Sequence, residues 1–151
     1  MKKVDIIVIE LASPILIGVY ENHKLIETLS SDEYSSDALP KLFEKILSTC
    51  EIENIVYTRG PGSFMAIKVA YIFLQTLCIV NNITLHATNA FTFNKNQPIK
   101  AFAKLYFMQD NGTITTKKFD EPINAPFELP NTIKLSDYSE ETTPLYVLPA
   151  V

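Results

Sequence analysis

The sequence predicts an α/β fold in which helices cover a mixed β-sheet. Residues 5–10 form an unbroken, mostly β-branched run, which is typical of a strand buried on both faces. Residues 39–47 place apolar side chains at the spacing of an amphipathic helix. Residues 54–58 are of strand type and precede Gly60-Pro61-Gly62 and a long apolar segment. This alternation of strands and helices gives a sheet with helices packed on it.

Seven elements follow one another in the first 90 residues. Strands at 5–10, 16–20 and 25–29 are joined by short links and predict an antiparallel meander. A helix begins at Ser36 or Asp37, because either side chain can cap it. The remaining elements are a strand at 54–58, a helix at 64–80 and a strand at 83–86. The order β-β-β-α-β-α-β is that of a ribonuclease-H-like lobe, as in sugar kinases and actin.

A tight turn separates the strand at 54–58 from the long helix. Gly60 and Gly62 both allow a positive φ, and Pro61 fixes its own φ between them. Ser63 is placed to cap the helix by accepting a hydrogen bond from a free N–H of the first turn. The five residues Arg59, Gly60, Pro61, Gly62 and Ser63 could also face an anion, since helix N-termini favour negative charge. We favour the structural interpretation of this turn.

The helix at 64–80 is apolar on nearly all sides, which is typical of a helix covered on two faces. A helical wheel assigns one face to the core: Ala66, Val69, Ala70, Phe73, Leu77 and Val80. The opposite face carries Met65 and a predicted interface made of Phe64, Lys68, Tyr71, Ile72, Gln75 and Ile79. Either later strands of the same chain or a second protein could cover that face. We favour a second protein, because an apolar strip of this size usually marks an interaction site.

The string Arg59-Gly-Pro-Gly-Ser-Phe, with Lys68 further on, resembles the signature of the bacterial tRNA threonylcarbamoyladenosine biosynthesis family TsaB, also called YeaZ. That family continues with Thr-Gly where this chain has Met65 and Ala66. The resemblance covers residues 4–86 well and the rest in outline. It implies an actin-like (ASKHA) fold whose N-terminal lobe spans 1–90.

The resemblance also implies a function. A TsaB-like chain would be a non-catalytic scaffold for a TsaD-like subunit, which transfers the threonylcarbamoyl group to tRNA. A TsaE-like ATPase completes that system, and tRNA would be reached only through the complex. The chain alone would hold no cofactor, ATP or ADP would bind at the joint interface, and without its partner the chain would form a homodimer.

The C-terminal part, residues 91–151, is predicted to be a reduced second lobe. Segments 101–108 and 113–119 flank Asn111-Gly112, a strong hairpin signal. Prolines then punctuate a tail with little periodicity, in which we expect one strand at 145–148.

Composition and charge exclude several classes of function. The net charge of −4 argues against a protein that binds nucleic acid by itself. Cys50 and Cys78 lack the spacing of a zinc site or of a disulfide framework. His23 and His86 are not paired, so no metal site is predicted and a metallopeptidase-like protein is the weakest alternative. Asp5 lies inside the apolar N-terminal run and argues against a signal peptide. No apolar run reaches the ~20 residues of a membrane span. We expect a cytoplasmic protein.

Glu10 is the one candidate for enzymatic chemistry. Active members of the actin and sugar-kinase superfold place an acidic residue at the end of the first strand, and an ATP-binding enzyme is therefore the alternative function. Here Leu11 follows Glu10 where a hydroxyl is common, and no Gly-rich loop comes after it. We favour a carboxylate that bonds nearby backbone amides, and we predict no catalytic residue.

Overall fold

The computed structural model describes residues 1–146 and is built on a five-stranded mixed sheet. Its strands are β1 (Lys2–Ile9), β2 (Ile15–Glu21), β3 (Lys24–Ser31), β4 (Cys50–Thr58) and β5 (Thr84–Thr88). Their order is β3-β2-β1-β4-β5. The first three strands are antiparallel neighbours, whereas β4 lies parallel to β1 and to β5. The predicted mixed sheet is confirmed.

Two helices, α1 (Ser35–Leu47) and α2 (Phe64–Asn81), pack on one face of this sheet. The hydrophobic cluster between them contains Phe43 of α1, Leu74 of α2 and Ile6 of β1, all fully buried. The start of α1 differs from the prediction. Ser36 and Asp37, which were expected to cap the helix, already lie inside it. Tyr34 occupies the cap position and makes no side-chain hydrogen bond there.

The other face of the sheet is covered by residues that follow β5. They form a 3₁₀ helix (Ala90–Phe93) and a second sheet of β6 (Ile99–Phe102), β7 (Leu105–Asp110) and β8 (Thr113–Lys118). Asn111 and Gly112 adopt positive φ values of 49° and 80°, and the predicted hairpin between β7 and β8 is confirmed. Strand β6 was not predicted from the sequence as a separate strand.

The segment from 120 to 146 has little regular structure but is bonded to the main sheet along its length. The Leu25 N–H donates to the Asn131 carbonyl over 2.9 Å. Ala87 and Ser139 exchange two main-chain hydrogen bonds of 2.8 and 2.9 Å. This segment therefore helps to cover the second face of the main sheet. The predicted lobe boundary at residue 90 stays a prediction.

The strand expected at 145–148 is only partly described. Leu145 and Tyr146 lie outside any strand, although the Leu145 N–H donates to the Arg59 carbonyl over 2.7 Å. The other half of the predicted strand lies outside the described residues.

Candidate functional site

The two glycines of the turn before α2 serve different purposes. Gly60 has a φ of +122°, and a Cβ at this position would meet the Leu145 carbonyl oxygen at 2.5 Å. Gly62 has no positive φ, so it does not use the conformational freedom that a glycine allows. A Cβ there would lie 2.9 Å from the Leu11 Cβ, and glycine is therefore needed at Gly62 because β1 and the turn approach closely.

Polar groups of the turn are bonded to the protein's own chain. The Arg59 Nε–H donates to the Thr143 carbonyl over 2.8 Å, and the Gly60 carbonyl accepts the Ala90 N–H over 2.9 Å. The Ser63 hydroxyl accepts the Ala66 N–H over 3.4 Å, which confirms the predicted cap. These bonds fit a structural turn, and its role toward an anion stays a prediction.

The buried stripe of α2 differs from the one that the helical wheel assigned. Its fully buried residues are Ile67, Ala70, Leu74 and Cys78. Val80, predicted to lie in the core, is 76% exposed. The wheel failed because a helix that is apolar on nearly all sides has no strongly preferred face in its sequence.

The outer face of α2 carries large apolar side chains that the described residues leave largely exposed. The most exposed are Phe64 (46%), Met65 (62%), Ile72 (55%), Ile79 (76%) and Val80 (76%). We call these five residues the apolar face. Lys68 and Gln75 are also exposed, whereas Tyr71 is half-buried with its ring stacked 6.0 Å from that of Tyr57. Of these five residues, Met65 lies outside the predicted interface and Val80 was predicted to lie in the core.

Glu10 lies beside the starts of both helices and is buried to 2% exposure. The Thr58 hydroxyl donates to its Oε1 over 2.6 Å, whereas Oε2 has no partner among the described residues. Burial raises the pKa of Glu10 to about 8, and hydrogen bonds from Thr58 and from nearby backbone oppose that rise only in part. Burial therefore favours the neutral form of this carboxyl group.

Two solved structures from Pseudomonas aeruginosa share this architecture. YeaZ is 12% identical, with a TM-score of 0.60 over 85% of this chain and 72% of that one. A protein described as similar to the peptidase YeaZ is also 12% identical, with a TM-score of 0.58 over 85% and 71%. The fold is YeaZ-like. No family model and no curated protein sequence matches the chain.

The YeaZ-like fold agrees with the mixed α/β architecture predicted from the order of elements. At this level of identity the likeness concerns the fold alone. Function must therefore be argued from the surface and the side chains of this chain.

The two histidines lie apart in the YeaZ-like fold. His23 is in the turn between β2 and β3, near one edge of the five-stranded sheet. His86 lies on β5 at the other edge, where its Nε2 is 3.0 Å from the Asn54 Oδ1. Within residues 1–146, no group of three or more His, Cys, Asp or Glu side chains is placed to hold a metal ion.

One helix of the described chain meets the length and composition expected of a membrane span. It is α2, with 18 residues and a mean hydropathy of 1.7. Core helices of soluble proteins meet the same criterion, but only 22% of the residues of this helix are buried. No such segment was expected from the sequence. Because much of α2 is exposed, the partner of its outer face is the main functional question.

Proposed function

We propose that this chain is a non-catalytic scaffold that binds a TsaD-like subunit in tRNA threonylcarbamoyladenosine modification. The apolar face of α2 is the observation that carries the proposal. The YeaZ-like fold supports it, because the residues at Arg59 to Phe64 resemble the signature of the TsaB family. A TsaE-like ATPase and tRNA would act through the complex, in the cytoplasm.

The apolar face has the composition of a protein interface. Burying apolar surface contributes roughly 25 cal/mol per Å², and Met and aromatic side chains are enriched at such contacts. Phe64 is supported from behind by the Tyr146 ring, 4.6 Å away between centroids, so it is presented as an ordered side chain. Lys68 and Gln75 lie between Phe64 and Ile79 around the helix, where polar side chains set orientation more than affinity.

The state of Glu10 supports a scaffold over an ATP-dependent enzyme. Burial raises the pKa of the Glu10 carboxyl group and so disfavours the charged form that a divalent cation needs, and its Oε1 is already engaged by Thr58. We therefore propose that ATP or ADP, where the complex holds it, binds at the joint interface. Tight ATP binding by the isolated chain would favour the enzyme instead.

Light scattering coupled to size exclusion tests the scaffold directly. We expect this chain, mixed with the TsaD-like protein of its own genome, to elute as a heterodimer at micromolar concentration. Ile72→Glu and Ile79→Glu should each weaken the complex at least tenfold, because each buries a charge in the interface. Ile26→Glu on β3 is the matched control, since Ile26 is 44% exposed outside α2 and should leave binding unchanged.

Two results would contradict the proposal. One is the absence of a complex while the wild-type chain is folded. The other is sedimentation of the chain with lipid vesicles, abolished by Ile79→Glu, which would assign the apolar face to a membrane surface.

A further inference from the structure

A groove runs along β6, between the second sheet and the loop that follows β1. It consists of two adjoining cavities of about 590 and 340 Å³, whose linings share Ser63 and Ala101. The larger cavity lies between β6, the loop at 11–14 and the segment at 123–127. The smaller cavity lies between β6 and the start of α2.

The groove follows the edge of β6 and not one of its faces. Five consecutive residues, 98–102, line it, although successive side chains of a strand point to opposite faces. Strand β6 lies at the edge of its sheet, and the pairing with β7 skips Ala101, where the two cavities meet. Among the described residues, 98–102 have no main-chain hydrogen-bond partner outside β7. The outer N–H and C=O groups of β6 are therefore open to a further strand.

The lining of the groove is mostly apolar and carries a single charged side chain. Phe64 and Phe102 line the smaller cavity, which contains no charged residue. Leu16 and Phe127 line the larger cavity, where Lys100 is the only charged residue. Lys100 is exposed and takes part in no salt bridge within residues 1–146. A ligand with large apolar groups and one negative charge complements this lining.

We propose that the groove binds an extended peptide segment of a protein partner, which joins the second sheet as a fourth strand beside β6. Main-chain hydrogen bonds to β6 hold the peptide, and its alternate side chains enter the two cavities. An acidic residue of the peptide lies next to Lys100. The four residues of β6 span about 13 Å, the length of a peptide of about the same number of residues.

The open edge of β6 distinguishes a peptide from a fatty acid, the main alternative for an apolar groove with one cation. A fatty acid would fill the cavities and bring its carboxylate to Lys100. Its alkyl chain, however, has nothing to pair with the outer N–H and C=O groups of β6. An extended peptide supplies both donors and acceptors along its length.

The inference does not depend on the scaffold function proposed above. The groove shares Phe64 and Met65 with the apolar face, but Ile72, Ile79 and Val80 lie outside it. A variant at the far end of α2 can therefore separate the two surfaces.

Selection of randomised heptapeptides displayed on phage, with the full chain as bait, tests the site. We expect enriched peptides to alternate large apolar residues with others and to carry Asp or Glu at one position. A labelled synthetic copy then measures affinity by fluorescence polarisation. N-methylation of the amides on one edge of the peptide should weaken binding at least tenfold, because it removes the donors that face β6. N-methylation of the alternate amides should change binding less than twofold.

Charge reversal locates the peptide on the chain. Lys100→Glu should weaken binding of the acidic peptide roughly tenfold and should favour a copy with Lys at the acidic position. Lys104→Glu is the matched control, because Lys104 is also exposed and follows β6 but lines neither cavity. Ile79→Glu should bind the peptide like the wild type, even where it loses the partner of the apolar face. Circular dichroism verifies that every variant is folded.

Failure to enrich any peptide on the folded chain would overturn the proposal. So would equal weakening by the two sets of N-methyl groups, or equal effects of Lys100→Glu and Lys104→Glu. Displacement of the peptide by oleate at a lower concentration than by unlabelled peptide would assign the groove to a fatty acid instead. Binding seen only after removal of residues 147–151 would assign it to the chain's own continuation.

Discussion

In the turn before α2, the main chain of Gly60 lies against the carbonyl of Leu145. A Cβ at this position would meet a backbone oxygen that a hydrogen bond to Arg59 holds nearby, and the φ of +122° disfavours any other residue. We expect Gly60→Ala to lower the free energy of unfolding by roughly 3 kcal/mol, because strain and overlap add. Urea denaturation followed by circular dichroism measures the loss.

Gly112 provides the matched control at the same scale. Its φ is +80°, but nothing lies within 4 Å of a Cβ built there. Gly112→Ala should therefore lower the free energy of unfolding by only about 1 kcal/mol, the cost of backbone strain alone. Equal losses in the two variants would contradict the role assigned to the contact with Leu145.

At the scale of the element, α2 shows what local sequence can and cannot determine. Its cap at Ser63, its start at Phe64 and its length were predictable, because each depends on neighbouring residues. Its orientation was not, since Ile67, Leu74, Ile79 and their neighbours are about equally apolar. Only contact with the sheet decides which of these side chains is buried.

Substitution at two positions of α2 tests the observed orientation. Leu74 is fully buried, so Leu74→Ala should lower the free energy of unfolding by about 2–4 kcal/mol. Val80→Ala should change it by less than about 0.5 kcal/mol, because Val80 is largely exposed. Thermal unfolding of both variants in one buffer makes the comparison. A larger loss for Val80→Ala than for Leu74→Ala would instead support the buried face that the helical wheel predicted.

At the scale of the whole molecule, the first half was easier to predict than the second. Strands β1 to β5 carry continuous or alternating apolar runs, whereas β6 is short and the segment from 120 to 146 has no period to recognise. That segment is positioned by distant partners, such as the Tyr20 hydroxyl, which donates to the Pro130 carbonyl over 2.6 Å. That the Glu10 Oε2 and the Ser35 Oγ have no hydrogen-bond partner among the described residues could not be predicted either, because it depends on how α1 packs beside β1.

The shared core on the second face of the sheet predicts how the chain divides. Ile7, Ile9 and Val56 are buried there against residues that follow 90. We expect a fragment of residues 1–90 to lack a cooperative thermal transition, because that apolar surface would face water. A cooperative transition in the isolated fragment would instead establish 1–90 as an independent lobe.

The bonds that join residues 142–145 to the end of β4 also constrain when the protein can finish folding during its synthesis. The Thr142 carbonyl accepts the Tyr57 hydroxyl and the Thr143 carbonyl accepts Arg59, across 85 and 84 residues of chain. Long loops close slowly, so Tyr57 and Arg59 are made early but gain these partners late. Until residue 145 leaves the ribosome, the nascent chain presents its most apolar helix without its final support, and a chaperone or an early partner would protect it.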